Sequence, residues 1–125
     1  MELVVSSPVL FVTNDFGPRA GGIETFVIGL IERRAFGSTI VYTSAQEDAD
    51  EYDAMWREKY GVTVIRDRSK ILLPTPRVAR KLAHIIKGEK IVVAAFGAAA
   101  PLGLLSASMK RAGVQKTVAL THGHE

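Results

Sequence analysis

Val9 to Phe26, VLFVTNDFGPRAGGIETF, decides how the rest of this chain is read. Its apolar run (Val9, Leu10, Phe11, Val12) ends in a polar turn, Thr13-Asn14-Asp15, and a short loop follows with Gly17, Pro18, Arg19, Gly21 and Gly22. Ile23, Phe26, Val27, Leu30 and Ile31 then recur at i, i+3, i+4, i+7 and i+8, the spacing of one helix face. A buried strand, a glycine turn and a helix, in that order, are how α/β proteins aim helix N–H groups at a phosphate. The segment predicts strand–loop–helix, and a nucleotide or sugar-nucleotide site is the leading expectation from it.

The same alternation runs on through the chain. Strands are expected near 8–13, 38–43, 62–66, 90–96 and 115–121, and helices near 22–35, 47–60, 76–88 and 101–112. The strands are β-branched and nearly continuously apolar, as parallel strands covered on both faces are. Pro101 suits the first turn of the last helix and Gly113 its end. The pattern predicts an α/β fold: one Rossmann-like, doubly wound parallel sheet with helices on both faces and right-handed crossovers. No repeat, low-complexity tract or linker divides the 125 residues.

Composition narrows the class. A hydrophobic content of 47% excludes disorder as the main state, and the absence of cysteine excludes disulfides and thiolate chemistry. No basic region precedes Leu3-Val4-Val5, so no signal peptide is read, and no apolar run reaches the ~20 residues of a membrane span. The stretch 94–105 comes nearest, but glycines and a proline break it, and the chain reads as soluble. Net charge is +3 and unevenly spread: six acids against Arg57 between Gln46 and Glu58, then eight bases against two acids from Arg66 to Lys90. Either one surface welcomes anions, or these are two ordinary solvated helix faces.

The glycine loop is neither GxGxxG nor a Walker A motif, since no Gly-Lys-Ser/Thr follows. Gly21-Gly22 before a helix leaves two readings, a close approach of backbone amides to a ligand or a turn that needs positive φ. Glu24 complements the helix dipole but would repel a diphosphate, so it is expected to face sugar or acceptor hydroxyls. At the other end, His122-Gly123-His124-Glu125 supplies at most three metal ligands with no partner cluster, so no metal is expected. His122, at a strand terminus, is instead the candidate for a polar contact to substrate. Because ligands bind beyond the carboxyl ends of such strands, the sequence stops inside its active face and reads as part of a longer protein.

The helix from Pro76 sets Val78, Leu82, Ile85 and Ile86 opposite Arg77, Arg80, Lys81, His84 and Lys87. That is a basic amphipathic helix, fit either for anionic lipid headgroups or for covering a sheet with a soluble outer face. Nucleic acid is disfavoured because no aromatics interleave with the bases. A dinucleotide site is disfavoured because Tyr42-Thr43-Ser44 stands where an acid would end the second strand, and a receiver domain because Asp15 is alone.

The segments VTNDFGPRAGGIETF, LPTPRVARKLAHII, FGAAAPLGLLSASMKRAG and VALTHGHE together resemble the N-terminal domain of family-4 retaining glycosyltransferases of the GT-B fold. More narrowly they resemble actinobacterial GDP-mannose-dependent phosphatidylinositol-mannoside mannosyltransferases. The resemblance implies GDP-mannose as donor, no further cofactor, a phosphatidylinositol-mannoside acceptor and work at the inner face of the plasma membrane. It implies that Gly21 and Gly22 approach the donor diphosphate and that His122 acts in binding and catalysis near the transferred sugar. Asn14, Asp15 and Glu24 fall where the acceptor is met, although relatives often carry Gln at the position of Glu24. Arg77, Arg80 and Lys81 match a region that touches membranes. The resemblance also implies a second, C-terminal domain holding the nucleotide with an Arg/Lys pair and a glutamate motif, without which these residues are not expected to turn over.

Overall fold

The computed structural model describes residues 8–14, 16–17, 28–96 and 102–119, with backbone alone at 102 and 103. Five strands, β1 (Val9–Thr13), β2 (Thr39–Thr43), β3 (Thr63–Arg66), β4 (Val93–Phe96) and β5 (Lys116–Ala119), form one sheet in the order β3-β2-β1-β4-β5. Every pairing is parallel, with Leu10 opposite Ile40 and Ala94, and Tyr42 opposite Ile65. The helices are α1 (28–32), α2 (Asp50–Tyr60), α3 (Pro76–Glu89) and α4 (Ser106–Ala112), the last preceded by a 3₁₀ turn, Leu102–Leu105.

Apolar runs without alternation become central strands because both sheet faces are covered. On one face Leu10, Val12, Ile40, Tyr42, Ala94 and Phe96 pack against Val78, Leu82 and Ile86 of α3 and Met109 of α4. On the other, Phe11, Val41 and Ala95 meet Phe16, Ile31, Trp56 and Val62. Each fully buried side chain of this size contributes about 1.5–3 kcal/mol, so the two layers together hold the sheet.

Helix boundaries follow local chemistry. The Thr75 hydroxyl accepts from the Val78 N–H at 3.2 Å and Pro76 opens α3, a capped start that the proline itself favours. At the end of α2, Gly61 adopts φ 67°, and a Cβ there would stand 2.6 Å from the Gly37 backbone nitrogen. Gly113 closes α4 as expected. The helix expected over 101–112 is α-helical only from Ser106, its described beginning being wound as 3₁₀, a common form for a first turn.

The strand order fixes where a ligand would sit. From β1 the chain steps outward to β2 and β3, then returns to place β4 on the other side of β1. The reversal between β1 and β4 is a topological switch point, and in open α/β sheets the crevice at the carboxyl ends of those strands takes the ligand.

Candidate site at the strand exits

The chain leaves β1 at Thr13 and β4 at Phe96, on either side of the switch point. The side chain of Asn14 is turned onto backbone. Its Oδ1 accepts from the Leu72 N–H at 2.7 Å and its Nδ2 donates to the Leu72 carbonyl at 3.2 Å. Asn14, expected to meet the acceptor, therefore ties the β1 exit to the segment entering α3.

Two residues further on, the Phe16 ring is fully buried in an aromatic cluster, with centroids 5.5 Å from Tyr52 and 5.2 Å from Trp56. The Tyr52 hydroxyl donates to the Phe16 carbonyl at 2.6 Å. Arg66, at the end of β3, grips the Asp53 carboxylate through Nε at 2.9 Å and Nη2 at 2.8 Å. The same guanidinium donates to the Gly17 carbonyl at 2.8 Å and to the Ser44 carbonyl at 2.9 Å. A single side chain thus joins the exits of β1, β2 and β3 to α2.

A second ionic centre lies beside it. The buried carboxylate of Asp67 accepts from both Arg77 Nη atoms (2.9 and 2.8 Å), from the Ser69 N–H (2.9 Å) and from the Tyr42 hydroxyl. The Arg77 guanidinium is the main reason the Asp67 carboxyl stays well below the usual carboxylate range. The Tyr42 and Ser69 donors add to it, while burial opposes them. Burial first, and the bond to Asp67 second, push the Tyr42 phenol far above its ordinary value.

Of the residues expected in the site, Asp15, Gly21, Gly22, Glu24 and His122 lie outside the described residues. Arg77, expected at a membrane surface, has its guanidinium on Asp67, which leaves Arg80 and Lys81 as exposed bases of α3. Ile71 and Leu73, 64% and 51% exposed, precede that helix beside the exposed Arg68 and Lys70. The sequence reading does not single them out; the flanking bases Arg68 and Lys70 were the available signal.

Among the described residues no three His, Asp or Glu side chains gather to hold a metal, and no helix is long and apolar enough to cross a membrane. A groove of about 260 Å³ lined by Thr39, Thr63, His84 and Glu89, among others, lies at the amino ends of β2 and β3, away from the strand exits.

Sheet order, a glycine-bearing segment leaving β1 and a braced set of strand exits define a Rossmann-like α/β domain, a class in which ligands bind at the carboxyl ends of the strands. Comparison with known proteins finds sequences similar to this one. The chain is 42% identical over 122 residues to the GDP-mannose-dependent monoacylated alpha-(1-6)-phosphatidylinositol monomannoside mannosyltransferase of Corynebacterium glutamicum. It is 40% and 42% identical to the GDP-mannose-dependent alpha-(1-6)-phosphatidylinositol monomannoside mannosyltransferases of Mycolicibacterium smegmatis and Mycobacterium tuberculosis. These alignments take in 94–96% of the chain, which spans about a third (31%) of the length of each relative. No family model matches the chain.

Proposed function

We propose that these residues form the N-terminal, acceptor-side domain of a GT-B glycosyltransferase that transfers mannose, with retention, from GDP-mannose to a phosphatidylinositol mannoside. The observation that carries the reading is similarity at 40–42% identity, over nearly the whole chain, to mannosyltransferases named for that donor and acceptor. A doubly wound sheet with its switch point beside β1 supports it.

In this reading the amides of Gly21 and Gly22 approach the donor diphosphate at a helix N-terminus, where orphan N–H groups favour an anion. His122 helps position the transferred sugar, and Asp15 and Glu24 face acceptor hydroxyls. A C-terminal domain brings the cations that stabilise departing GDP. Arg80 and Lys81 of α3, together with the exposed Ile71 and Leu73 of the segment before it, rest on the anionic inner face of the plasma membrane: bases supply attraction to the headgroups and the two apolar side chains enter the interface.

The test is a transfer assay on the full-length protein, with GDP-mannose against UDP-sugars, and with and without phosphatidylinositol mannoside. Mannosylated lipid forms only with the first donor and with the acceptor present. His122→Ala lowers transfer by about 100-fold, as expected when a reacting group loses its alignment. Turnover close to wild type in that variant removes His122 from the mechanism, and preference for a UDP-sugar overturns the donor.

A further inference from the structure

The Arg66 guanidinium carries five N–H donors in a rigid fork, and four hydrogen bonds leave it here, two to Asp53 and one each to the Gly17 and Ser44 carbonyls. A bridge between α2 and β3 needs only the first two. The other two reach sideways: β3 is the edge strand beyond β2, and the Gly17 carbonyl belongs to the segment that leaves β1, the strand beyond β2 in turn.

Gly17 itself has φ 109°, a backbone conformation that favours glycine. The preceding carbonyl, of Phe16, is held by the Tyr52 hydroxyl, and its ring is locked between Tyr52 and Trp56 with the Arg66 guanidinium 6.0 Å away. Two successive peptide units are thus fixed in position and direction immediately before residues 18–27. Those residues contain Gly21, Gly22 and Glu24, to which the proposed transferase assigns the donor and acceptor.

We propose that Arg66, braced by Asp53, is a positioning residue for transfer: through the Gly17 carbonyl it sets the point and heading from which the glycine segment leaves β1. The inference rests on the mannosyltransferase reading for its kinetic consequence, but its structural consequence is independent of it. Lysine cannot replace arginine in this role, because an ammonium offers a point charge rather than a fork that serves a carboxylate and two carbonyls at once.

The experiment uses the full-length protein and compares Arg66→Lys with the exchange pair Asp53→Arg/Arg66→Asp. The exchange restores opposite charges between α2 and β3 but leaves no donor at position 66 for the Gly17 carbonyl. Melting temperature, steady-state kinetics with GDP-mannose and phosphatidylinositol mannoside, and amide hydrogen exchange over residues 18–27 and over α3 are read for each. Arg66→Lys is expected to lower kcat about 10- to 100-fold and to speed exchange over 18–27 while α3 keeps its wild-type rates. The exchange pair is expected to regain part of the melting temperature but neither kcat nor the wild-type exchange rates over 18–27.

Recovery of kcat together with the melting temperature in the exchange pair overturns the proposal, since an ion pair alone would then suffice. So does a folded Arg66→Lys protein with wild-type kcat and exchange. If Arg66→Lys does not fold, Tyr52→Phe removes the donor to the neighbouring carbonyl and faces the same criterion, with a loss of about threefold expected and unchanged exchange over 18–27 decisive against. Should the wild-type protein transfer nothing from GDP-mannose, the functional reading fails, and the exchange rates alone decide the positioning role.

Discussion

Two arginine–aspartate pairs sit at the strand exits, and they are inside out relative to each other. In the Asp67–Arg77 pair the anion is the hidden partner: its side chain is fully buried, while the arginine is 29% exposed at the rim. In the Arg66–Asp53 pair the cation is the hub, 13% exposed against 21% for the carboxylate. The buried anion gathers donors from β2, from the turn after β3 and from α3, and so fixes secondary elements to one another. The central cation spends its surplus donors on carbonyls of Gly17 and Ser44, and so fixes the course of loops. The sign of the enclosed charge thus selects what each pair organises, because a carboxylate only accepts and a guanidinium only donates.

The contrast is broken most directly by removing the outer member of the first pair. Arg77→Ala leaves the Asp67 carboxylate buried with only Tyr42 and Ser69 as donors, and the largest loss of stability in the series is expected from it at neutral pH, measured by urea denaturation. Asp67→Ala costs less, about 2 kcal/mol, because the arginine left behind reaches water and the buried Tyr42 hydroxyl is the main orphan. Asp53→Ala should cost about 1.5 kcal/mol, since Arg66 keeps two carbonyl acceptors. If Asp53→Ala proves costlier than Arg77→Ala, the distinction between a hidden anion and a hidden cation fails. Smallest is Tyr52→Phe, about 1 kcal/mol, one hydrogen bond to the Phe16 carbonyl.

Acid sharpens the comparison. The folded-state pKa of Asp67 lies below its unfolded value, near 3.9, so its contribution is complete above that value and fades as pH falls toward the folded pKa. Arg77→Ala removes the largest cause of the depression. The stability gap between wild type and Arg77→Ala should therefore be widest near pH 7 and shrink between about pH 4 and pH 2, as measured by denaturation at each pH. A gap that stays constant into acid would deny the carboxylate its part.

The fold was legible because it rests on local patterns. The run Val9–Val12, the α3 face of Val78, Leu82 and Ile86, and Gly113 at a helix end all announce themselves within a few residues. The ionic pairs did not. Arg66 and Asp53 lie 13 residues apart, and Arg66 and Gly17 lie 49 apart, separations with no helical or strand period. In sequence Asp67 is merely one of two acids among eight bases, and Arg77 reads as one more base on an outer face. A lone acid at a strand end, set in a basic stretch, was the signal that a buried partner existed. The glycine segment and His122 were named from resemblance, and they lie outside the described residues.

Asn14 carries a last consequence, one of timing. Its two bonds to Leu72 close a loop of 58 residues, longer than those closed by Tyr42 with Asp67 (25) or Arg66 with Gly17 (49). Such closures carry a heavy entropic charge until the strands between them have paired. The bridge at Asn14 is therefore expected to close only after those strands have paired. Substitution there should leave the refolding rate almost untouched and hasten unfolding, making this amide a latch on the lifetime of the native state rather than a guide to reaching it.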